Sequence, residues 1–227
     1  LHDLAAGVPE NSTPAFEAAA QAGYPIELDV QLLADGALLV FHDDDLLRAT
    51  GVRRALSECA HRDVVGLPLF GTPHHAPTLS DVLTQVDARV PILLEIKQRG
   101  PGDQLASRVH QALRGYAGQV AVQSFNPYVL RWFRRHAPDQ VLGQLGGPLR
   151  DDALAAFEKL ASRSLITLAL SRPDFINFDL RALPDRWVDA VSHATGLPLL
   201  AWTVRTEADR QKAVALGVNY VFEGIRP

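Results

Sequence analysis

The spacing of apolar and polar residues divides this chain into elements. At Ile26, Glu27, Leu28, Asp29 and Val30 the two kinds alternate strictly, which is the period of a strand. Alternate side chains leave a strand on opposite faces, so Glu27 and Asp29 share one face, roughly 7 Å apart along it. Upstream, Ser12-Thr13-Pro14 leads into Ala15 to Ala22 and predicts a helix, with Thr13 as N-cap, Pro14 in the first turn and Gly23 at the end. Downstream, Asp35-Gly36 reads as a turn and Leu38 to Phe41 as a second apolar run that ends at His42. The stretch Leu67 to Pro77 holds too much proline for a regular element, and Leu79 to Val86 reads as helix.

From Ile92 onward strand and helix patterns alternate without a break. The strands fall at 92–96, 120–123, 141–145, 175–178, 197–204 and 220–222, and the helices at 103–116, 127–136, 151–162, 184–195 and 207–216, with Asn126 capping the second of these. Strands that are apolar on both faces and separated by helices imply a parallel sheet covered by helices. No glycine-rich phosphate turn follows an early strand, because Gly146-Gly147-Pro148 comes late and runs into proline. The charged residues lie instead along or just after many different strands, which is the (β/α)8 arrangement of a TIM barrel. Seven or eight strands are counted, depending on whether Leu38 to Phe41 joins the ring. No linker or composition shift divides residues 1–227, so a single domain is expected.

Composition changes this picture little. A net charge of -4 gives no reason to expect nucleic-acid binding. The lone Cys59 rules out an internal disulfide. No apolar run approaches the roughly 20 residues of a membrane span, so stable membrane insertion is not expected, and the cytoplasm is the expected compartment. The absence of methionine means that the chain as given lacks its initiator.

The acidic pair on the first strand carries the chemistry. Two carboxylates side by side repel and are costly to desolvate, and a divalent cation removes both objections. Glu95 and Lys97 repeat the layout on Ile92 to Ile96, giving a third carboxylate and a positive charge for an anionic substrate. A simple Glu-Lys pair closing the strand is the plainer reading. His42, beside Asp43, is placed as a general acid or base, or as a hydrogen-bonded structural histidine. Trp202 is either core or a flat wall over a substrate. Together these groups suit metal-assisted attack on a phosphoester.

The motifs Pro9-Glu10-Asn11-Ser12, Ile26-Glu27-Leu28-Asp29-Val30, Asp35-Gly36, Phe41-His42-Asp43 with Arg48-Ala49-Thr50-Gly51, Leu94-Glu95-Ile96-Lys97, Gln123-Ser124-Phe125-Asn126 and Ala201-Trp202-Thr203-Val204 resemble, in order, those of the glycerophosphodiester phosphodiesterase family. The resemblance implies a TIM-barrel enzyme of lipid and glycerol metabolism. It would use a divalent cation, Mg²⁺ or Ca²⁺, to hydrolyse small glycerophosphodiesters to glycerol 3-phosphate and an alcohol. It implies Glu27, Asp29 and Glu95 as metal ligands, His42 as one of two catalytic histidines, Lys97 on the phosphate, and Glu10 and Asn11 in the same cleft. The family also opens with a strand ending in His-Arg-Gly, which would fall just ahead of Leu1, so a first strand is expected to be missing from the chain as given. The far end differs as well, with Glu223 to Pro227 where the family often carries an Asp before a proline.

Two other readings are open. A metal-independent glycosidase would use Glu27 and Glu95 as its acid and nucleophile, which leaves Asp29, Lys97 and His42 without roles. A non-catalytic barrel would only bind glycerophosphate-like ligands.

Overall fold

The computed structural model describes residues 1–98, 103–147 and 165–227. They fall into two compact units, the first Leu1–Gln98 with Asp103–Ala121, the second beginning at Val122.

In the first unit, helix α1 (Thr13–Gln21) precedes strand β1 (Ile26–Leu32). Its N-cap is Ser12, one residue earlier than the pattern predicts. Ser12 has extended backbone, and its hydroxyl donates to Pro9 O instead of capping the helix. Strand β2 (Leu38–Val40) returns antiparallel to β1, pairing Val30 with Val40 and Leu32 with Leu38. The Asp35-Gly36 turn thus closes a hairpin, and β2 is not one of the parallel strands. Two short helices, α2 (Leu47–Thr50) and α3 (His61–Val64), lie in the irregular region, and α4 (Leu79–Val86) follows it. That region makes its own apolar cluster from Leu39, Phe41, Leu46, Leu56, Cys59 and Leu69, among others. The Cys59 thiol is buried and its pKa raised by that burial, so it has the character of an inert core group.

Strand β3 (Ile92–Ile96) runs parallel to β1, and its register sets Asp29 directly beside Glu95. The apolar side chains of Leu28, Val30 and Leu94 are fully buried, while Glu27, Asp29 and Gln31 occupy the opposite face of β1. Helix α5 (Gln104–Leu113) ends before the expected residue 116, because Arg114 is extended and Gly115 turns the chain at φ +88°. Strand β4 (Val120–Ser124) starts in this unit.

In the second unit, α6 (Pro127–His136) begins where the sequence predicts, with Asn126 Oδ1 accepting from Tyr128 N at 2.9 Å. Strands β5 (Val141–Gly146), β6 (Phe175–Asp179), β7 (Leu199–Val204) and β8 (Asn219–Phe222) pair in parallel, each with the next. The helix expected over 151–162 lies outside the described residues, whereas α7 (Leu165–Ser171) was not expected. Helix α8 (Arg186–Thr195) starts two residues later than predicted, since Asp185 is its N-cap and accepts from Trp187 N and Val188 N. Helix α9 (Glu207–Ala215) opens with a Thr206/Asp209 capping box. Ile176, Phe178, Val188, Ala201 and Val204 form the apolar centre of this unit. Parallel strands connected through helices are the substance of a TIM-barrel-type α/β fold.

Candidate active site

The site of the first unit follows from register. Adjacent strands lie about 4.8 Å apart, and that spacing alone brings the Asp29 and Glu95 carboxylates together. Glu27 sits one pleat repeat behind, and its longer side chain makes up the reach. Oxygens of Glu27, Asp29 and Glu95 all lie within 4.8 Å of one another, so the three can hold one cation. Asp29 and Glu95 are buried, Glu27 partly so.

Lys97 supplies the local positive charge, with Nζ 3.2 Å from Asp29 Oδ1 and 3.2 Å from Glu95 Oε1. Burial opposes its ionisation, but the Glu95 and Asp29 charges outweigh that and raise its pKa. Burial is also the main influence on Glu95 and pushes its carboxyl upward, against the lowering effect of Lys97. Three carboxylates around one ammonium leave an excess of negative charge, which a divalent cation could take up. Asn11 Nδ2 donates to Asp29 Oδ2 at 2.9 Å and turns the carboxylate toward the cluster. It does so from a left-handed backbone at φ 49°, a conformation asparagine tolerates better than most residues.

His42 projects from the loop after β2, with about half of its side chain exposed. Its Nδ1 lies 2.7 Å from Asp43 Oδ1. That hydrogen bond is the largest influence on the imidazole and raises its pKa above 6.5. Burial works against ionisation of Asp43, yet hydrogen bonds from His42 and Arg48 hold its carboxyl well below the usual range. Arg48 in turn reaches Glu10, 38 residues away in the chain, at 2.5 Å. Of the three aspartates in the turn, Asp43 orients the imidazole and Asp45 accepts from Leu47 N at the start of α2.

The two shifts give a stability prediction. His42 has a raised folded pKa, so its contribution is fully present below about 6.5 and is lost as pH rises through the folded value. Asp43 has a lowered one, so its contribution is present above about 3.8 and is lost as pH falls through the folded value. The pair therefore stabilises most between roughly pH 4 and 6.5. Thermal melts of Asp43→Asn against wild type are expected to differ most in that window, with the gap narrowing toward pH 9.

Gln31 is a residue that sequence reasoning missed. Buried on the face of Glu27 and Asp29, it donates through Nε2 to the carbonyls of Phe41, His42 and Asp43 at 3.1, 3.2 and 2.6 Å. It thereby pins the backbone that carries the imidazole. The available signal was a third polar position on one face of β1. Gln31→Leu is expected to cost about 2 kcal/mol in urea unfolding, the scale of buried carbonyls losing a donor. Turnover should also fall about 10-fold or more, since small misplacements of a reacting group are costly.

In the second unit, Trp202 is half-buried, with its ring edge-to-face on Phe125 at 5.9 Å. Gly147 backs it closely: a Cβ there would stand 2.8 Å from Asp179 Cβ and 3.4 Å from the Trp202 ring. The indole Nε1 is buried without an acceptor among the described residues. Neighbouring Asp179 is held by a two-oxygen pairing with Arg181.

Residues 4–223 match the model of the glycerophosphoryl diester phosphodiesterase family. A glycerophosphodiester phosphodiesterase of Caldanaerobacter subterraneus subsp. tengcongensis is 32% identical over 225 residues, covering 93% of this chain and 87% of the relative. One from Bacillus subtilis is 29% identical over 240 residues, covering 95% and 78%. Among solved structures, an Oleispira antarctica phosphodiesterase in complex with the product sn-glycerol-3-phosphate superposes with a TM-score of 0.77 at 20% identity, covering 94% of this chain and 87% of that one. The Thermotoga maritima glycerophosphodiester phosphodiesterase gives 0.71 at 22% identity, covering 96% and 90%.

Parallel βα units that carry carboxylates and a lysine along neighbouring strands make this a TIM-barrel-type α/β protein, and the family match makes it an enzyme of the phosphoric diester hydrolase class. Within that class, the chain belongs to the glycerophosphoryl diester phosphodiesterase family.

Proposed function

We propose that the chain hydrolyses a glycerophosphodiester to glycerol 3-phosphate and an alcohol in a divalent-cation-dependent reaction, with His42 exchanging the proton. The observation that carries this reading is the convergence of Glu27, Asp29 and Glu95 within 4.8 Å. Three carboxylates are the donor set of a hard cation, Mg²⁺ or Ca²⁺. When bound, such an ion neutralises phosphate charge and lowers the pKa of an oxygen nucleophile.

This chain's own groups account for the rest. Lys97 offers three N–H donors, two of them directed at Asp29 and Glu95. An ammonium with three donors and two such contacts has one more to offer a phosphate oxygen. Nδ1 of His42 is occupied by Asp43, so Nε2 is the position that gives or takes a proton. A new phosphorus–oxygen bond forms to the nucleophile, the bond to the alcohol oxygen breaks, and that oxygen leaves with a proton. The raised pKa of His42 suits it to donate this proton near neutral pH. Asn11 acts by orienting Asp29, and Glu10 lies in the same cleft through Arg48. Within the second unit, the buried indole Nε1 of Trp202 has no acceptor among the described residues, which supports Trp202 as a ligand-contacting wall there. The product held by the Oleispira antarctica phosphodiesterase supports glycerol 3-phosphate as the product here.

The test is a coupled glycerol 3-phosphate assay on glycerophosphocholine, with and without EDTA. Release that EDTA stops and that Mg²⁺ or Ca²⁺ restores is expected. Turnover that persists in EDTA would instead show a metal-independent cleavage of the phosphodiester, and would take the cation out of the reading.

A further inference from the structure

Arg48 is held more firmly than its position explains. It lies on the four-residue helix α2 with about half of its side chain exposed, where an ion pair contributes little to stability. Even so, its guanidinium makes four hydrogen bonds to two carboxylates. Nε and one Nη meet Asp43 at 2.5 and 3.0 Å, and the two Nη meet Glu10 at 2.5 and 3.3 Å. The plane also lies over the Phe70 ring, 5.2 Å from its centroid. Phe70 is anchored in turn by its N–H to Ala49 O at 2.6 Å, one residue beyond Arg48. A guanidinium has five N–H groups, so a fork already engaged in four bonds has little left for a substrate phosphate. Its effect falls on Asp43, both of whose oxygens it contacts, and one of those oxygens also holds His42 Nδ1.

We propose that Arg48 is a positioning residue for the reaction: braced by Glu10 and Phe70, it fixes the Asp43 carboxylate, and Asp43 fixes the His42 imidazole with Nε2 free. The chain Glu10–Arg48–Asp43–His42 joins the loop before α1 to the loop after β2, so the imidazole is oriented by a residue remote in sequence. The inference rests on the reading of His42 as the proton-exchanging group. It gives Glu10 a role at one remove from the substrate.

The test combines kinetics with the ¹⁵N spectrum of the histidine ring in the full chain. In wild type at a pH where the ring is neutral, His42 is expected to show a protonated Nδ1 and an unprotonated Nε2. In Arg48→Met the ring should become a mixture of tautomers. The kcat for glycerol 3-phosphate release should fall about 10- to 100-fold, the scale for losing a residue that orients a reacting group, with KM within about threefold. Arg48→Lys should restore only part of the loss, since one ammonium cannot span both Asp43 oxygens. The Arg48→Met/Asp43→Asn pair should be no slower than Asp43→Asn alone, because both act through one path. An unchanged imidazole spectrum with wild-type kcat would overturn the proposal. So would losses that multiply, or a change confined to KM. If Arg48→Met does not fold, Glu10→Gln decides, since it loosens one side of the clamp and should shift the tautomer ratio in the same direction. His42→Ala separates the two ideas. Wild-type turnover in that variant removes the functional reading itself, whereas an inactive His42→Ala beside an unaffected Arg48→Met removes only the positioning role.

Discussion

Glu95→Gln is expected to reduce glycerol 3-phosphate release by at least about 1000-fold, close to 4 kcal/mol of transition-state stabilisation. The substitution keeps the size of the side chain and removes one of three negative charges from the cluster of Glu27, Asp29 and Glu95. Two carboxylates remain, but Lys97 stands 3.2 Å from Asp29 and competes with the cation for that oxygen. Affinity for Mg²⁺ or Ca²⁺, read by titration calorimetry, should therefore fall together with turnover. Unfolding does not explain such a loss. Burial already disfavours the ionised form of Glu95, so a neutral amide relieves that cost, and Lys97 keeps Asp29 as its partner. Melting in EDTA should accordingly shift by no more than a few degrees. A Glu95→Gln enzyme with wild-type turnover and unchanged cation dependence would show that this carboxylate is no ligand.

Those three acids differ in how far the sequence reveals them. Glu27 and Asp29 share a strand, and strict alternation suffices to put them on one face. Glu95 lies some seventy residues away, and its place beside Asp29 depends on the β1–β3 register, which no local pattern contains. What points to it is the repeated layout of an acid near the end of an apolar strand. Helix starts follow the same logic. Asn126-Pro127 is unambiguous because a cap and a ring-constrained first position agree. At Ser12-Thr13 two good capping residues stand side by side, and the extended backbone of Ser12, with Thr13 already helical, decides between them. The irregular stretch after β2 has no periodicity, so its apolar cluster around Leu56 and Cys59 was hidden. The Glu10–Arg48 contact is of the same kind: a charged pair separated by 38 residues leaves no trace in spacing. Gln31 was hidden for another reason, since a glutamine near a strand end looks like any solvated polar residue until its three carbonyl partners are known.

His42→Ala is expected to lower kcat about 100- to 10,000-fold on glycerophosphocholine, the range for losing a positioned general acid or base. The size of the loss should depend on the leaving group, and this separates acid catalysis from a structural role. Choline leaves as an alkoxide that needs a proton, so its release depends on the donor. A p-nitrophenyl ester of glycerol phosphate leaves as a stable phenolate and needs none. If His42 protonates the leaving oxygen through Nε2, the variant should cleave the nitrophenyl ester within about tenfold of wild type while remaining slow on the choline ester. Added imidazole should recover part of the choline activity, because half of the side chain is open to solvent and the space it vacates is accessible. The pH profile carries the same information. The wild-type limb for the choline ester should lie above 6.5, since Asp43 stabilises the protonated ring, and that limb should be absent from the variant. Equal losses on both esters, with no response to imidazole, would assign His42 to holding the loop and leave the proton to come from elsewhere.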